Sequence, residues 1–397
     1  MKRRGGIAIA LAAMVAAALA STAGAGSSAA AKTQAISCKS TITLGFVAPF
    51  TGGASFLGNE QLSWAKYAVK TLQAKYGLKI KLVTGDIPVE GGPAGALTIA
   101  QKFAANKSVA AMIGPSTSGS VAASSETYFK AGLAHITASA TRTSLTKGAV
   151  KEASPYFFRV VSGDYIQGPQ DAKVMIKRGA KNVVVFDFQE PYSQGLATAA
   201  EVVLKAGGVT TTRLSVSNLV TDFSTFVTKV PSNADFVFFP TQKPPDAQNF
   251  AQQLIEQGKK AKVFGGAGAA SAAQFKVPGS LVSVFSPDIS TIPYNKSIIA
   301  GWQKDNPSAK LGPFGPAQYL SVQVALNAIK RACDAGKGQI NDRRDVARNV
   351  KRILIKNSIL GGDFRFSTKS NDPLNGGFYI FEIQKDGSYK DITASSK

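Results

Sequence analysis

The stretch VAAMIGPSTSGSVAASSETYFKA, residues 109–131, constrains the fold more than any other part of the chain. Five consecutive apolar residues, Val109 to Ile113, are too few for a helix and show no polar alternation. They predict a strand buried on both faces of a parallel sheet. Gly114 and Pro115 end it, the turn Ser116, Thr117, Ser118, Gly119 and Ser120 follows, and the pattern predicts a helix over Val121–Phe129. The turn has two readings. Serine and threonine are preferred helix caps, and hydroxyls with free backbone N–H groups at a helix start also form an anion site favoured by the helix dipole.

The same alternation runs along the chain and predicts an α/β architecture with parallel sheets. Strands are predicted at Thr41–Val47, Ile80–Thr84, Val109–Ile113 and Ala134–Thr137. Between the first two lies a helix over Asn59–Tyr76, where Leu62, Ala65, Val69, Leu72 and Tyr76 recur at spacings of three and four before the C-cap residue Gly77. Pro93 opens another helix, carrying Leu97, Ala100 and Phe103. The run from Pro155 to Val160 reads as a crossing between lobes. A second alternation follows: strands at Asn182–Phe188, Val209–Val216, Asp235–Phe239, Lys262–Phe264 and Ser280–Phe285, and helices at Tyr192–Ala206 and Asp246–Gln257, with a short helix capped by Asp222-Phe223-Ser224. Two long helices, Pro316–Ala335 and Asp342–Asn357, come next with no strand between them. Strands return at Asp363–Phe366 and Phe378–Ile383, the latter near a hairpin over Lys385-Asp386-Gly387. The two alternating halves resemble one unit used twice, without a residue-level repeat.

A chain of 397 residues with 44% hydrophobic content is large enough to split into two domains. Residues 1–31 read as a secretory signal peptide. Lys2, Arg3 and Arg4 precede the apolar run Ile7–Ala20, and small residues continue to Ala31, with cleavage between Ala25 and Ala31. No later stretch is long and apolar enough to span a membrane. Export to the periplasm or cell-envelope exterior follows. The only two cysteines, Cys38 and Cys333, then suggest one disulfide. Lipid modification of Cys38 fits less well, because AISC lacks the small residues expected before such a cysteine. Two cysteines and one histidine exclude an ordinary structural zinc site. The formal charge is +22, and removing Lys2, Arg3 and Arg4 leaves +19 for the mature chain. The lysines are scattered, the densest cluster is Arg343–Arg352, and no aromatic-basic platform for nucleic-acid bases is present.

Taken in order, LGFVAPFTGGASFLGNEQLSWA, GDIPVEGGPAGALTIAQKF, MIGPSTSGS, HITASATRTSLT, YIQGPQDA, QEPYSQGLA, TDFS and GPAQYLSVQVALNAI resemble type I periplasmic binding proteins of the leucine-isoleucine-valine-binding branch, which serve ABC importers. The likeness covers Ile42 to Ile383. It implies two doubly wound parallel-sheet lobes joined by three hinge crossings, lobe 1 being residues 40–157 plus 290–357 and lobe 2 residues 158–289 plus 358–397. It also implies a small-molecule ligand in the cleft, a membrane permease as partner, a monomer, and no cofactor or metal. Ser118, with Gly119 beside it, would donate its hydroxyl and N–H to a ligand carboxylate. Thr141 would donate its hydroxyl, and the backbone near Ser139 would face the ligand. Tyr192 would offer an aromatic ring from the second lobe, and Leu57 would shape the side-chain pocket.

Two departures from the family's pattern bear on the ligand. The acid that pairs with the ligand ammonium in amino-acid binders is matched here by Ala267, and the tyrosine that assists it by Gln242. A desolvated cation without a partner is costly. The ligand is therefore either a carboxylate without an α-amine, such as a small apolar or aromatic acid, or an amino acid whose amine meets a displaced acid, with Asp246, Glu190 and Asp288 as candidates. An enzyme is the rival class and finds little support: His135 lies in an apolar strand, GPSTSG has the wrong spacing for a nucleophile elbow, and GGAGAA lacks the full dinucleotide fingerprint. A soluble ligand-sensing receptor subunit of the same fold is the alternative function.

Overall fold

The structure, a computed structural model, describes residues 35–396; the leader sequence read at residues 1–31 lies outside the described residues. The chain opens with β1 (Ile36–Ser37), β2 (Thr41–Ala48), α1 (Ser55–Leu72), β3 (Lys79–Asp86), α2 (Gly92–Ala105), β4 (Val109–Ile113), α3 (Ser118–Lys130), β5 (His135–Thr137) and β6 (Phe157–Arg159). Strands β2 to β6 form a five-stranded sheet in the order β3-β2-β4-β5-β6, all parallel. All five residues of β4 are buried, as an apolar run with helices on both faces requires. At its end Gly114 adopts φ +115°, and a Cβ there would lie 2.4 Å from the Val47 carbonyl oxygen, so only glycine can make this turn.

The second half begins with α4 (Asp164–Lys177), β7 (Asn182–Asp187), α5 (Pro191–Ala206), β8 (Thr210–Ser215), the one-turn α6 (Ser224–Val227), β9 (Phe236–Phe239), α7 (Pro244–Glu256), β10 (Lys262–Gly265) and β11 (Leu281–Val284). The chain then returns through α8 (Lys296–Asp305), α9 (Phe314–Ala335), β12 (Gln339–Ile340), α10 (Arg343–Val350), β13 (Leu354–Ile355) and β14 (Phe364–Arg365), and finishes with β15 (Tyr379–Ile383) and β16 (Tyr389–Asp391). The second sheet runs β16-β15-β11-β10-β9-β7-β8. Its five strands β7 to β11 are parallel, and β15 and β16 add an antiparallel edge.

Both sheets share one strand order. In each half the second strand lies outside the first, and the third, fourth and fifth follow on the other side. One topology is thus used twice, as the alternation predicts, although no sequence repeat marks it. Each sheet is covered on both faces. The first packs against α1 and α9 on one face and α2 and α3 on the other. In the second, Phe186, Phe188, Phe223, Phe239 and Phe250 fill one face, and α4 with α5 covers the other.

Four of the differences from expectation have a visible reason. The run from Pro155 to Val160 contains β6, the edge strand of the first sheet, and the crossing comes after it. Helix α4 is absent from the sequence reading because Pro169 lies inside it and Asp164, Gln167 and Asp171 interrupt its buried face ahead of the core residues Ala172, Val174 and Met175. The long helix expected over Asp342–Asn357 stops at Val350, since Ile353 and Ile355 are drawn into the first core and β13 pairs with β14. The stretch before it, expected to lack strands, contains β12 paired with β1.

The basic cluster on α10 is engaged internally. Arg343 donates to the Ala104 and Asn106 carbonyls at the end of α2, while Arg344 and Arg348 pair with Asp342 and Asp345. Cys38 and Cys333 are joined by a disulfide that ties β1 to the end of α9.

Candidate functional site

In open parallel sheets, ligands bind beyond the carboxyl ends of the strands where the strand order reverses. Here that rule selects the segments after β2 and β4 in the first half and after β7 and β9 in the second, which carry Gly53, Ser118, Glu190 to Tyr192, and Lys243. These segments face one another. The Arg142 guanidinium donates to the Pro191 carbonyl across the gap, and the Lys243 stem lies directly over Gly53.

From the first half, Thr117 caps α3 by accepting from the Ser120 N–H (3.4 Å), which leaves Ser118 on the first turn of the helix. The Ser118 hydroxyl oxygen accepts from the Arg142 N–H at 3.2 Å and is buried. Thr141 is fully buried, and its hydroxyl has no hydrogen-bond partner among the described residues. Ser139 is turned inward: its hydroxyl donates to the Ser116 carbonyl (2.6 Å) and accepts from Gln61 (3.0 Å). His135 packs in the core, where its Nε2 meets the Ser125 hydroxyl (2.6 Å) and burial pushes its pKa down to about 3.

From the second half, Asp164 opens α4 and lies against the Thr141 loop, its N–H donating to the Thr141 carbonyl at 2.8 Å. It is fully buried, and neither carboxylate oxygen makes a hydrogen bond of good geometry among the described residues, although the Thr141 hydroxyl lies close enough to act on its charge. Burial pushes its pKa up to about 7, against the pull of the Thr141 hydroxyl and the Arg159 and Arg142 guanidinium groups. Tyr192 is buried, and its hydroxyl accepts from the Gly268 N–H at 3.2 Å, fixing the turn that holds Ala267. Ala267 and Leu57 share one apolar cluster with Phe285 and Phe314 that bridges the two halves. Gln242 lines a small crevice with Val89, Phe188, Glu190, Asn218 and Lys243.

The acids weighed from sequence are occupied. Glu190 caps α5 by accepting from the Tyr192 and Ser193 N–H groups (2.9 and 2.7 Å), with burial raising its pKa to about 7. Asp246 pairs with Lys243 at 3.1 Å. Asp288 caps a short turn by accepting from the Ser290 N–H and is exposed. Asp164 was missed because an acid opening a helix is unremarkable in sequence. Only the surroundings contributed by Thr141, Arg142 and Arg159 set it apart. Gly119 lies at the cleft edge, against Pro191 of the opposite half.

Residues 41–388 match the family model described as periplasmic binding protein. Among curated proteins, the chain is 27% identical over 364 residues to Leu/Ile/Val-binding protein homolog 1 of Brucella melitensis, a match covering 88% of this chain and 93% of that protein. It is 26% identical over 324 residues to the Leu/Ile/Val/Thr-binding protein of Salmonella typhimurium, covering 79% and 84%. Two solved structures share the fold. A leucine binding protein from Thermotoga maritima superposes with a TM-score of 0.78 at 21% identity, covering 88% of this chain and 97% of that one. A solute binding protein of an ABC transporter from R. palustris, in complex with benzoate, gives 0.76 at 17% identity, covering 89% and 96%.

Proposed function

This chain belongs to the periplasmic binding protein family, and on that premise we propose that it is the exported solute-binding subunit of an ABC importer, closing as a monomer on a zwitterionic amino acid and presenting it to a membrane permease. The observation that carries the reading is the Asp164 carboxylate, buried with both oxygens unpartnered beside the unpartnered Thr141 hydroxyl. Burying an ionised carboxylate without partners costs several kcal/mol. A ligand ammonium would supply the missing donors and the missing charge. The α3 N-terminus with Ser118 would receive the ligand carboxylate, with the Thr141 hydroxyl beside Asp164 at the other end. The apolar cluster holding Leu57, Ala267 and Phe285 supports an apolar side chain. The curated relatives named for Leu, Ile and Val agree with that reading.

The second reading, a carboxylate without an amine, draws support from Ala267, which leaves no acid after β10, and from the benzoate-bound neighbour. Calorimetric titration of refolded, ligand-free protein separates the two. L-Leucine or L-phenylalanine should bind at least about 100-fold more tightly than 4-methylpentanoate, 3-phenylpropanoate or benzoate. Binding of the acids alone would replace the amino-acid reading with the carboxylate one.

Ser118→Ala removes the buried hydroxyl that would meet the ligand carboxylate and should weaken L-leucine binding by about 1–3 kcal/mol. An unchanged dissociation constant would remove Ser118 from the site.

Closure has its own test, because a ligand bridging both halves favours the closed arrangement only if the halves can meet. A Cβ at Gly53 would sit 2.3 Å from Lys243 Cδ, and Lys243 is anchored by the Asn218 carbonyl and Asp246. Gly53→Val should therefore cost the closed form about 1–3 kcal/mol. The effect is read as weaker L-leucine binding with the ligand-free melting temperature unchanged. Unaltered affinity would show that the halves need not meet there.

A further inference from the structure

Arg159, the last residue of β6, is fully buried, and so is its partner Asp372. Its Nε donates to Asp372 Oδ1 at 2.7 Å. Its Nη1 donates to the carbonyls of Thr141 (2.8 Å) and Arg142 (3.0 Å), and its Nη2 to the Thr146 hydroxyl (2.5 Å). Thr146 in turn donates to the second Asp372 oxygen at 3.0 Å, and that oxygen also accepts from the Tyr165 hydroxyl at 3.2 Å. Tyr165 is the neighbour of Asp164 on α4. Asp372 itself lies between β14 and β15, on the segment where the chain passes from the first half to the second sheet for the last time. The backbone reinforces the contact: the Arg159 N–H donates to the Asn371 carbonyl at 3.1 Å, and the Asn371 amide donates to the Pro155 and Phe157 carbonyls.

A buried ion pair is a weak source of net stability, since apolar replacements are often as stable. Five donors in a rigid planar fork can, however, hold several acceptors in fixed directions, which an ammonium cannot do. Here the acceptors are the backbone of the Thr141 loop and the crossing segment, and a residue beside Asp164 grips the same carboxylate. We propose that Arg159 is a positioning residue for ligand binding: it fixes the backbone of the Thr141 loop against the Asp372 crossing, so that the Thr141 hydroxyl and the Asp164 side chain are presented together and their placement is tied to the hinge. The inference rests on Thr141 and Asp164 being the ligand site.

Two measurements test it on the full mature chain, the first without any ligand. In Arg159→Lys, hydrogen exchange of the Arg142 and Asp164 amides, which donate to Ser118 Oγ and the Thr141 carbonyl, should accelerate about tenfold or more while the β4 amides keep their protection. Uniform acceleration, or none, overturns the proposal, since either outcome describes an ordinary core residue. The second is a double-mutant cycle with L-leucine. Arg159→Lys should weaken binding about tenfold in the wild-type background and less than about twofold in Thr141→Ala. Equal losses in both backgrounds also overturn it. If Arg159→Lys does not fold, Asp372→Asn, which keeps the side-chain shape, takes its place in both arms. Should the wild type fail to bind L-leucine, the amino-acid reading fails, and the exchange measurement still decides the role of Arg159.

Discussion

Asp164→Asn is expected to abolish amino-acid binding while making the ligand-free protein more stable above neutral pH. The loss of binding follows from removing one partner of a buried charge pair, which typically costs about 3–5 kcal/mol, or about 100- to 1,000-fold or more in affinity. The gain in stability follows from linkage. The folded-state pKa of Asp164 is raised from 3.8 to about 7, chiefly by burial. Between those values the folded protein binds more protons than the unfolded chain, so stability falls as pH rises through the window. The total for this one group is on the order of 4 kcal/mol, and asparagine removes it. The wild-type ligand-free protein should therefore melt at a lower temperature near about pH 8 than near about pH 5, as far as this group decides it, and the variant should lose that dependence. Binding carries the opposite sign. An ammonium needs the ionised carboxylate, so L-leucine affinity should fall as pH drops below about 7, approaching a tenfold loss per unit. Thermal melts and calorimetry across that range check both trends. A variant that still binds L-leucine with wild-type affinity would place the amine elsewhere.

Breaking the disulfide should cost about 2–5 kcal/mol of stability. Cys38 and Cys333 are separated by 295 residues, so the bond closes nearly the whole folded chain into one loop and removes a large share of the unfolded state's freedom. In the folded state it holds β1 against β12, where the Cys38 N–H also donates to the Gly338 carbonyl at 2.9 Å. None of the site residues lies on these elements. The double replacement Cys38→Ser with Cys333→Ser should thus lower the melting temperature while leaving L-leucine affinity at low temperature unchanged. A melting temperature insensitive both to the replacement and to added reductant would show that the paired strands β1 and β12 hold the N-terminus without the bond. A bond of this kind is stable in an oxidising compartment, which agrees with export.

How far the sequence reaches is clear from individual residues. The run Val109–Ile113 reads as a doubly buried strand because its neighbours along the chain already state its length and lack of alternation, and the structure places all five residues inside. The same local logic recovers β2, β7, β9, α5 and α9 within a few residues, and with them the two-sheet architecture. It fails at α4, where Asp164, Gln167 and Asp171 break the apolar period of the inward face over its first turns, and at α10, where demand from the first core for Ile353 and Ile355 overrides a helical pattern. The family likeness points to Ser118, Thr141 and Tyr192, and the structure buries all three where the two sheets face each other. The substitution at Ala267 is visible in the sequence. In the amino-acid reading we propose, the acid's place is taken by Asp164, about a hundred residues away on another element, which no local pattern marks. Periodicity, caps and turns are properties of neighbours along the chain, so the sequence by itself determined the alternation of strands and helices and the family. Whether a carboxylate is solvated, paired or buried without a partner depends on groups that only folding brings together, here Thr141, Arg142 and Arg159 around Asp164, so the tertiary structure alone decided that Asp164 is buried and that its charged form is costly.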